Sequence, residues 1–190
     1  MIRKIWMLAV AAAWIACGPL DDVEVDPPSD REVYPVEGIG LKEGSVIRDI
    51  SFKTDDGSAF SLGDVFADPT NRILLLTTTA DWCSACKEET GKLAALHDEY
   101  AGKGLVVMAA MFEDGDFEPA TVDNVRRWKE KYKTKYRVVL DEGFQLSQYY
   151  DRAQTPMNMV VDVDTMTIKR IMTGFDESAI RALVVAKVGR

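Results

Sequence analysis

Two kinds of hydrophobic pattern alternate along most of the chain. Continuous apolar or β-branched runs predict strands that are buried on both faces, and apolar residues at a spacing of three or four predict amphipathic helices. The predicted strands cover 50–53, 59–61, 72–79, 105–112, 136–140, 157–163 and 167–172. The predicted helices cover 83–101, 119–132, 144–150 and 178–188. This alternation favours an α/β fold in which helices cover a mixed sheet.

The N-terminus has a pattern of its own. Arg3 and Lys4 precede an apolar run over 5–16. As a helix this run would extend only about 18 Å, too short for the roughly 30 Å hydrocarbon core of a bilayer. Its length and flanking charge predict a signal peptide over 1–16. The next residue, Cys17, completes a sequence that resembles a bacterial lipoprotein box, in which the cysteine is lipidated. Ordinary cleavage near 11–13 is the alternative.

The segment over 17–44 is rich in Asp, Glu, Pro and Gly and has no apolar period that could build a core. It is predicted to be a tether, because charge and proline keep such a chain extended. The globular domain is then expected over 45–190. A lipid on Cys17 would hold this domain close to a membrane surface but clear of it.

Composition and charge exclude some classes of partner. The chain of 190 residues is 47% hydrophobic, which suits a globular domain with a sizeable core. Its net charge is −8, and it contains no run rich in Lys or Arg. Nucleic acid and anionic membrane surfaces both require clustered positive charge, so neither is expected as the main partner.

Cys83 and Cys86 stand three residues apart, after a predicted buried strand and at the start of a long predicted helix. A zinc site would need two further ligands. The remaining candidates are Cys17, in the targeting segment, and His97, about 16 Å along a continuous helix from Cys86. A purely structural disulfide would close a very small loop and constrain little of the unfolded chain. A redox pair is the favoured interpretation.

The helix start gives the two cysteines different roles. Cys83 would face unpaired backbone N–H groups and the positive end of the helix dipole, which stabilise a thiolate near neutral pH. Cys86 lies nearly one turn further on and is expected to be the more buried of the two. Cys83 is therefore predicted to attack, and Cys86 to resolve the mixed disulfide.

The sequence LLLTTTADWCSACKEE, followed about seventy residues later by AQTPMNMVVDVDT, resembles the thioredoxin superfamily. It is most similar to the TlpA/ResA-type extracytoplasmic thiol-disulfide oxidoreductases. The likeness covers about 44–190 and includes an N-terminal hairpin, DISFKTDDGSAFSL, and an inserted helix, EPATVDNVRRWKEKY. The resemblance implies a thioredoxin-like α/β fold, with a central mixed sheet flanked by helices.

The resemblance also implies functional residues. It implies a cis peptide bond at Thr155–Pro156, beside the cysteines, where the backbone pairs with a substrate chain. Glu89 stands where such proteins often carry a glutamate, which could hold or relay a proton for Cys86; a solvated helix residue is the alternative. Trp82 is expected to shield the disulfide and contact substrate.

This sequence departs from the thioredoxin pattern at two positions near the cysteines. Thr77 replaces a buried Asp, and Ala85 replaces the Pro that commonly precedes the second cysteine. Both departures bear on the expected redox potential. Neither changes the assignment to the superfamily.

The expected activity is disulfide exchange with protein thiols and with a redox partner protein. The enzyme is expected to be a monomer anchored by lipid on the periplasmic side of a bacterial membrane, without a metal or any cofactor beyond its disulfide. One alternative is a peroxiredoxin-like peroxidase, but Leu76 and Ala80 occupy the positions where that chemistry uses Pro and Thr or Ser. Another is a Sco-like copper carrier, which requires a wider cysteine spacing and a distant His.

Overall fold

The computed structural model of the protein describes residue 31 and residues 33–189. The predicted signal peptide, the predicted lipidation site Cys17 and the first part of the predicted tether lie outside the described residues. Within the described part of the chain, no helix combines the length and the apolar character needed to cross a bilayer.

One mixed sheet of seven strands organises the described residues, in the order β2-β1-β5-β4-β3-β6-β7. The three adjacent strands β3, β4 and β5 run parallel, and the strands on either side of them pair antiparallel. The strands are β1 (Ser51–Lys53), β2 (Ala59–Ser61), β3 (Ile73–Ala80), β4 (Leu105–Glu113), β5 (Arg137–Leu140), β6 (Met157–Asp162) and β7 (Thr167–Thr173). The predicted α/β fold with an N-terminal hairpin is confirmed.

The α-helices include one that the hydrophobic pattern did not predict. They are α1 (Leu62–Ala67), α2 (Ser84–Tyr100), α3 (Val122–Tyr132) and α4 (Glu177–Val188). The unpredicted α1 is short, and a reciprocal capping box between Ser61 and Asp64 starts it. This Ser-x-x-Asp spacing is a sequence signal for a helix start.

Short 3-10 helices complete the secondary structure, at Ala101–Lys103, Gln145–Tyr149 and Arg152–Gln154. The second of these lies where the sequence predicted a helix over 144–150. It ends at Tyr149, because the backbone of the next residue, Tyr150, is extended.

The two faces of the sheet bury separate apolar cores. Along β3, Ile73 and Leu75 face the core beneath α2, α3 and α4, whereas Leu74 and Leu76 face the core beneath α1 and the hairpin. All eight residues of β3 are buried, as expected for a central strand covered on both faces. The end of β3 and the start of α2 together form the loop that carries the cysteines.

Residues before the predicted domain boundary at 45 contact the domain. The hydroxyl of Tyr34 donates to the carbonyl of Ile47 at 2.8 Å, and its ring meets that of Phe66 edge to face. The backbone N–H of Gly44 donates to the carbonyl of Ile168 at 2.8 Å. The packed structure extends back further still, to Arg31, whose side chain donates to the carbonyl of Asn71 at 2.8 Å.

Candidate functional site

The cysteine pair lies where the central strand β3 gives way to α2. The register between β3 and β4 shifts at Thr79 and Ala80, and such irregularities are common next to active sites. Cys83 is the N-cap of α2, and its sulfur accepts a hydrogen bond from the backbone N–H of Cys86 at 3.0 Å. The two sulfurs form a disulfide. The sequence prediction that this pair opens a helix is confirmed.

The prediction that Cys86 is the more buried of the two cysteines is not supported. Each residue is 3% exposed. The disulfide joins the two side chains within one turn, and both pack into the core beneath α2. Their surroundings differ nonetheless: Cys83 precedes the helix, whereas Cys86 lines an internal cavity and its sulfur lies 3.8 Å from the carbonyl oxygen of Thr78.

Glu89 is buried beside Cys86, one turn further along α2, and only 4% of it is exposed. Its carboxylate accepts a hydrogen bond from the side-chain amide of Asn158 at 3.1 Å. Burial raises the pKa of Glu89 from 4.5 to about 7, although the bond from Asn158 and the charge of Lys92 oppose the rise. The alternative of a solvated helix residue does not fit this burial.

Asn158 connects Glu89 to the strand that follows the cis peptide bond. It lies on β6 directly opposite Thr77 of β3 and is fully buried. Its amide also donates to the carbonyl of Gly174 at 3.0 Å, which fixes its orientation. Sequence reasoning did not identify Asn158, because the antiparallel register of β3 and β6, rather than a local motif, brings it to Glu89.

A small cavity is lined by Cys86 and Glu89, among other residues. The space open to the centre of a water molecule is about 10 Å³, which is about the volume that holds one water. Three of its lining residues carry buried polar atoms with no hydrogen-bond partner among the described residues. These atoms are the hydroxyl oxygens of Thr79 and Tyr136 and the indole nitrogen of Trp128.

Trp82, which directly precedes Cys83 in the chain, belongs to a cluster of aromatic and charged side chains. Its indole N–H donates to Glu113 at 2.8 Å, and its ring stacks on Phe117 with the centroids 5.4 Å apart. Arg152 reaches this cluster from the segment before the cis peptide bond, forms a salt bridge with Glu113 and lies over the Trp82 ring. Phe117 is 60% exposed and has a positive φ of 65°.

The Thr155–Pro156 peptide bond is cis, as the resemblance implied. The hydroxyl of Thr155 donates to the carbonyl of Arg152 at 2.8 Å and lies 3.2 Å from the hydroxyl of Tyr150. Directly after the proline, the backbone N–H of Met157 donates to the hydroxyl of Thr78 at 2.9 Å. Since the carbonyl of Thr78 also contacts the sulfur of Cys86, this one residue links the cis-proline strand to the cysteine pair.

The sequence is similar to those of curated redox proteins. The chain is 27% identical over 154 residues to the thioredoxin-like protein YneN of Bacillus subtilis, an alignment that covers 76% of this chain and 85% of that protein. It is 24% identical over 90 residues to the thiol-disulfide oxidoreductase ResA of Bacillus thuringiensis. That second alignment spans about half of each protein, 47% of this chain and 49% of ResA.

Solved structures share the fold. A putative thiol:disulfide interchange protein DsbE from Chlorobium tepidum superposes with a TM-score of 0.65 at 19% identity, over 79% of this chain and all of that one. The exposed lipoprotein thioredoxin of Streptococcus pneumoniae superposes with a TM-score of 0.59 at 20% identity, over 73% of this chain and 99% of that one. At these identities the likeness establishes the thioredoxin-like fold.

The resemblance to TlpA/ResA-type proteins is confirmed, and so is the expected enzyme class, that of a thiol-disulfide oxidoreductase. A family model described as the AhpC/TSA family matches residues 44–182, which is well over half of the chain. The chain therefore belongs to the AhpC/TSA family.

Proposed function

We propose that this thiol-disulfide oxidoreductase exchanges disulfides with proteins outside the cytoplasm, with Cys83 as the attacking thiolate and Cys86 as the resolving thiol. One observation carries the proposal: the disulfide opens α2, and a buried carboxyl whose pKa lies near 7 stands beside its second cysteine. A structural disulfide would have no use for a buried ionisable group at that position.

The N-cap geometry supports Cys83 as the nucleophile. Its sulfur accepts the N–H of Cys86 and lies at the positive end of the α2 dipole. Both interactions favour a thiolate, which is the nucleophilic form of cysteine. In the reduced protein this sulfur therefore carries negative charge more readily than that of Cys86, which lies within the first turn.

The exchange proceeds in two steps. The Cys83 thiolate attacks one sulfur of a substrate disulfide, a mixed disulfide forms, and the other substrate sulfur leaves as a thiolate. Cys86 then transfers its proton to Glu89 and attacks the sulfur of Cys83, which releases the second substrate thiolate. The substrate gains two electrons and the cysteine pair loses two. The reverse sequence oxidises a substrate dithiol.

Glu89 is the proposed proton acceptor for Cys86. A general base works best when its pKa is close to the ambient pH, because it is then both available and basic enough. Burial brings the pKa of Glu89 to about 7. At neutral pH this carboxylate can accept the thiol proton when Cys86 attacks, and can return it when the disulfide is reduced.

Trp82, Thr155 and Pro156 are the proposed contacts for a substrate chain. Trp82 is half-buried beside the disulfide, and its stacking on Phe117 extends an apolar surface there. The backbone N–H of Thr155 already donates to the carbonyl of Arg152 at 3.2 Å. Substrate pairing at Thr155 would therefore use its carbonyl group.

The trapping experiment tests the roles of the two cysteines. Cys86→Ser removes the resolving thiol but keeps Cys83 at the helix start, so this variant should accumulate mixed disulfides with extracytoplasmic proteins. Cys83→Ser is the matched control and should accumulate almost none. The complexes are quantified on non-reducing gels, and a reductant should separate them into their component proteins.

Equal trapping by the two variants would show that the roles are wrongly assigned. Turnover of hydrogen peroxide by the parent protein, with no exchange on protein disulfides, would instead favour the peroxidase.

We also propose that a lipid on Cys17 holds the enzyme at a membrane. The sequence around Cys17 supports this, and one protein of similar fold is described as an exposed lipoprotein. Cys17→Ser should release the protein into the soluble extracytoplasmic fraction with its disulfide exchange intact. Equal membrane retention of variant and parent in cell fractionation would contradict the anchor.

A further inference from the structure

The cavity beside Glu89 brings together polar atoms that the exchange steps above do not use. Trp128 lies on α3, Tyr136 immediately precedes β5, and Thr79 lies on β3, so three separate elements supply them. Each of these three atoms is buried and has no hydrogen-bond partner among the described residues. Buried polar groups in native proteins are nearly always hydrogen-bonded, to protein or to an ordered water.

The cavity has the size and the chemistry of a water site. Its space for a water centre is about 10 Å³, which corresponds to about one water, and an internal water normally makes two to four hydrogen bonds. Here the indole N–H of Trp128 and the hydroxyl of Tyr136 can donate, and the carboxylate of Glu89 can accept. A water between them would satisfy groups that otherwise lose a hydrogen bond on folding.

Tyr136 and Glu89 line the same cavity. The pKa of Tyr136 is raised mainly by burial and further by the charge of Glu89. The charge of Lys92, on the same helix, lowers the pKa of Glu89. Cys86, also on that helix, lines the same cavity. From the sheet, β3 contributes the neutral side chains of Thr77 and Thr79, and β6 contributes Asn158.

We propose that Tyr136 is a positioning residue whose hydroxyl, through one bound water shared with Trp128, donates to Glu89 and so sets the pH at which Glu89 accepts the proton of Cys86. The inference rests on the proposed role of Glu89 as the proton acceptor. Hydrogen bonds to a carboxylate favour its charged form and oppose the effect of burial. Without the Tyr136 hydroxyl, Glu89 stays protonated up to a higher pH. Below that pH it cannot accept the proton of Cys86.

The test follows the resolving step directly. When reduced protein reacts with 5,5′-dithiobis(2-nitrobenzoate), Cys83 attacks and releases one coloured thiolate. Cys86 then attacks the mixed disulfide on Cys83 and releases the second coloured thiolate. This step is intramolecular, so its rate does not depend on reagent concentration. Stopped-flow absorbance between pH 5 and pH 9 gives the pH midpoint of this second step. Loss of one hydrogen bond to the carboxylate should raise the midpoint of Tyr136→Phe by about one pH unit, so that resolution at pH 6 is about tenfold slower.

The matched control is Tyr149→Phe, which removes the hydroxyl of a buried tyrosine in the core on the other face of the sheet. It should leave the midpoint unchanged. A merely structural role for Tyr136 would slow the second step equally at all pH values. An unshifted midpoint in Tyr136→Phe, or an equal shift in Tyr149→Phe, would overturn the proposal.

Glu89→Gln separates the two hypotheses. If its second step keeps the parent's midpoint, the proposed role of Glu89 fails. If Glu89→Gln abolishes the midpoint while Tyr136→Phe leaves it in place, only the role of Tyr136 fails. Should Tyr136→Phe not fold, a high-resolution crystal structure of the parent decides: density for a water between Tyr136, Trp128 and Glu89 supports the proposal, and its absence overturns it.

Discussion

In the part of the chain that the structure describes, two carboxylates are buried, and their hydrogen-bond partners differ in kind. Asp141, in the turn after β5, is 2% exposed and accepts the backbone N–H groups of Gln145 and Leu146 at 2.8 and 3.0 Å. Glu89, on α2, is 4% exposed and accepts one hydrogen bond, from Asn158 at 3.1 Å. Burial raises the pKa of both groups.

The two carboxylates differ in whether backbone or side-chain groups donate hydrogen bonds to them. At Asp141 the turn itself provides two backbone donors, so the carboxylate closes the start of a 3-10 helix and its proton has no role. At Glu89 the neighbours are side chains, and three polar atoms that line the adjoining cavity have no hydrogen-bond partner among residues 31 and 33–189. Similar burial therefore accompanies a structural cap in one region and, in the role proposed for Glu89, an exchangeable proton in the other.

Among the variants that test this contrast, Glu89→Gln should show the largest change in the free energy of unfolding. A carboxyl whose pKa rises on folding stabilises the fold fully only below its unfolded pKa, and that contribution is lost as the pH rises through the folded pKa. For Glu89 the window runs from 4.5 to about 7. The charged carboxylate should therefore cost the parent up to about 3 kcal/mol at pH 8. Glu89→Gln should remove this cost and flatten the stability profile, as measured by urea unfolding at pH 4 and pH 8.

Asp141→Asn is the matched control. An amide offers one oxygen where the carboxylate offers two, so one of the backbone donors of Gln145 and Leu146 would lose its acceptor. The lost hydrogen bond should lower the free energy of unfolding by about 1–3 kcal/mol. The loss is partly offset at neutral pH, because burial raises the pKa of Asp141 and asparagine also removes this buried charge. Opposite signs for the two variants at pH 8 support the comparison, and stabilisation by both would contradict it.

The sequence predicted the parts of the site that depend on local spacing. Cys83, Cys86 and Glu89 follow one another on a single helix, so helical periodicity alone places the carboxyl near the second cysteine. Asn158 and Tyr136 are 69 and 47 residues from Glu89 in the chain. Only the strand order and register bring them to it, and no pattern within a single strand encodes that.

The same distinction applies to the fold. Buried runs such as β3 were recognisable because both faces of a central strand are apolar. The short α1 lacks a long apolar period and shows itself only by its capping box at Ser61. The contacts of Tyr34 were not predictable either, because an acidic, proline-rich segment gives no sign of which aromatic will find a partner.

The smallest expected effect is in Asn158→Ala, which removes the one donor that Glu89 has from a neighbouring strand. The bond from Asn158 lowers the pKa of Glu89, so without it that pKa should rise further above 4.5. A rise of about one unit would add about 1.4 kcal/mol to the stability lost between pH 4 and pH 9.

Truncation of a buried residue also leaves a cavity, which lowers the free energy of unfolding equally at every pH. The informative quantity is therefore the change in the slope of this free energy against pH. Asn124→Ala is the control, because it removes a buried amide whose partner in the capping box of α3 is Thr121, a residue that does not titrate, and it should shift the whole profile without tilting it. In a Glu89→Gln background the extra slope of Asn158→Ala should vanish. If it persisted, Asn158 would act on another group, and the contrast between Glu89 and Asp141 would lose its explanation.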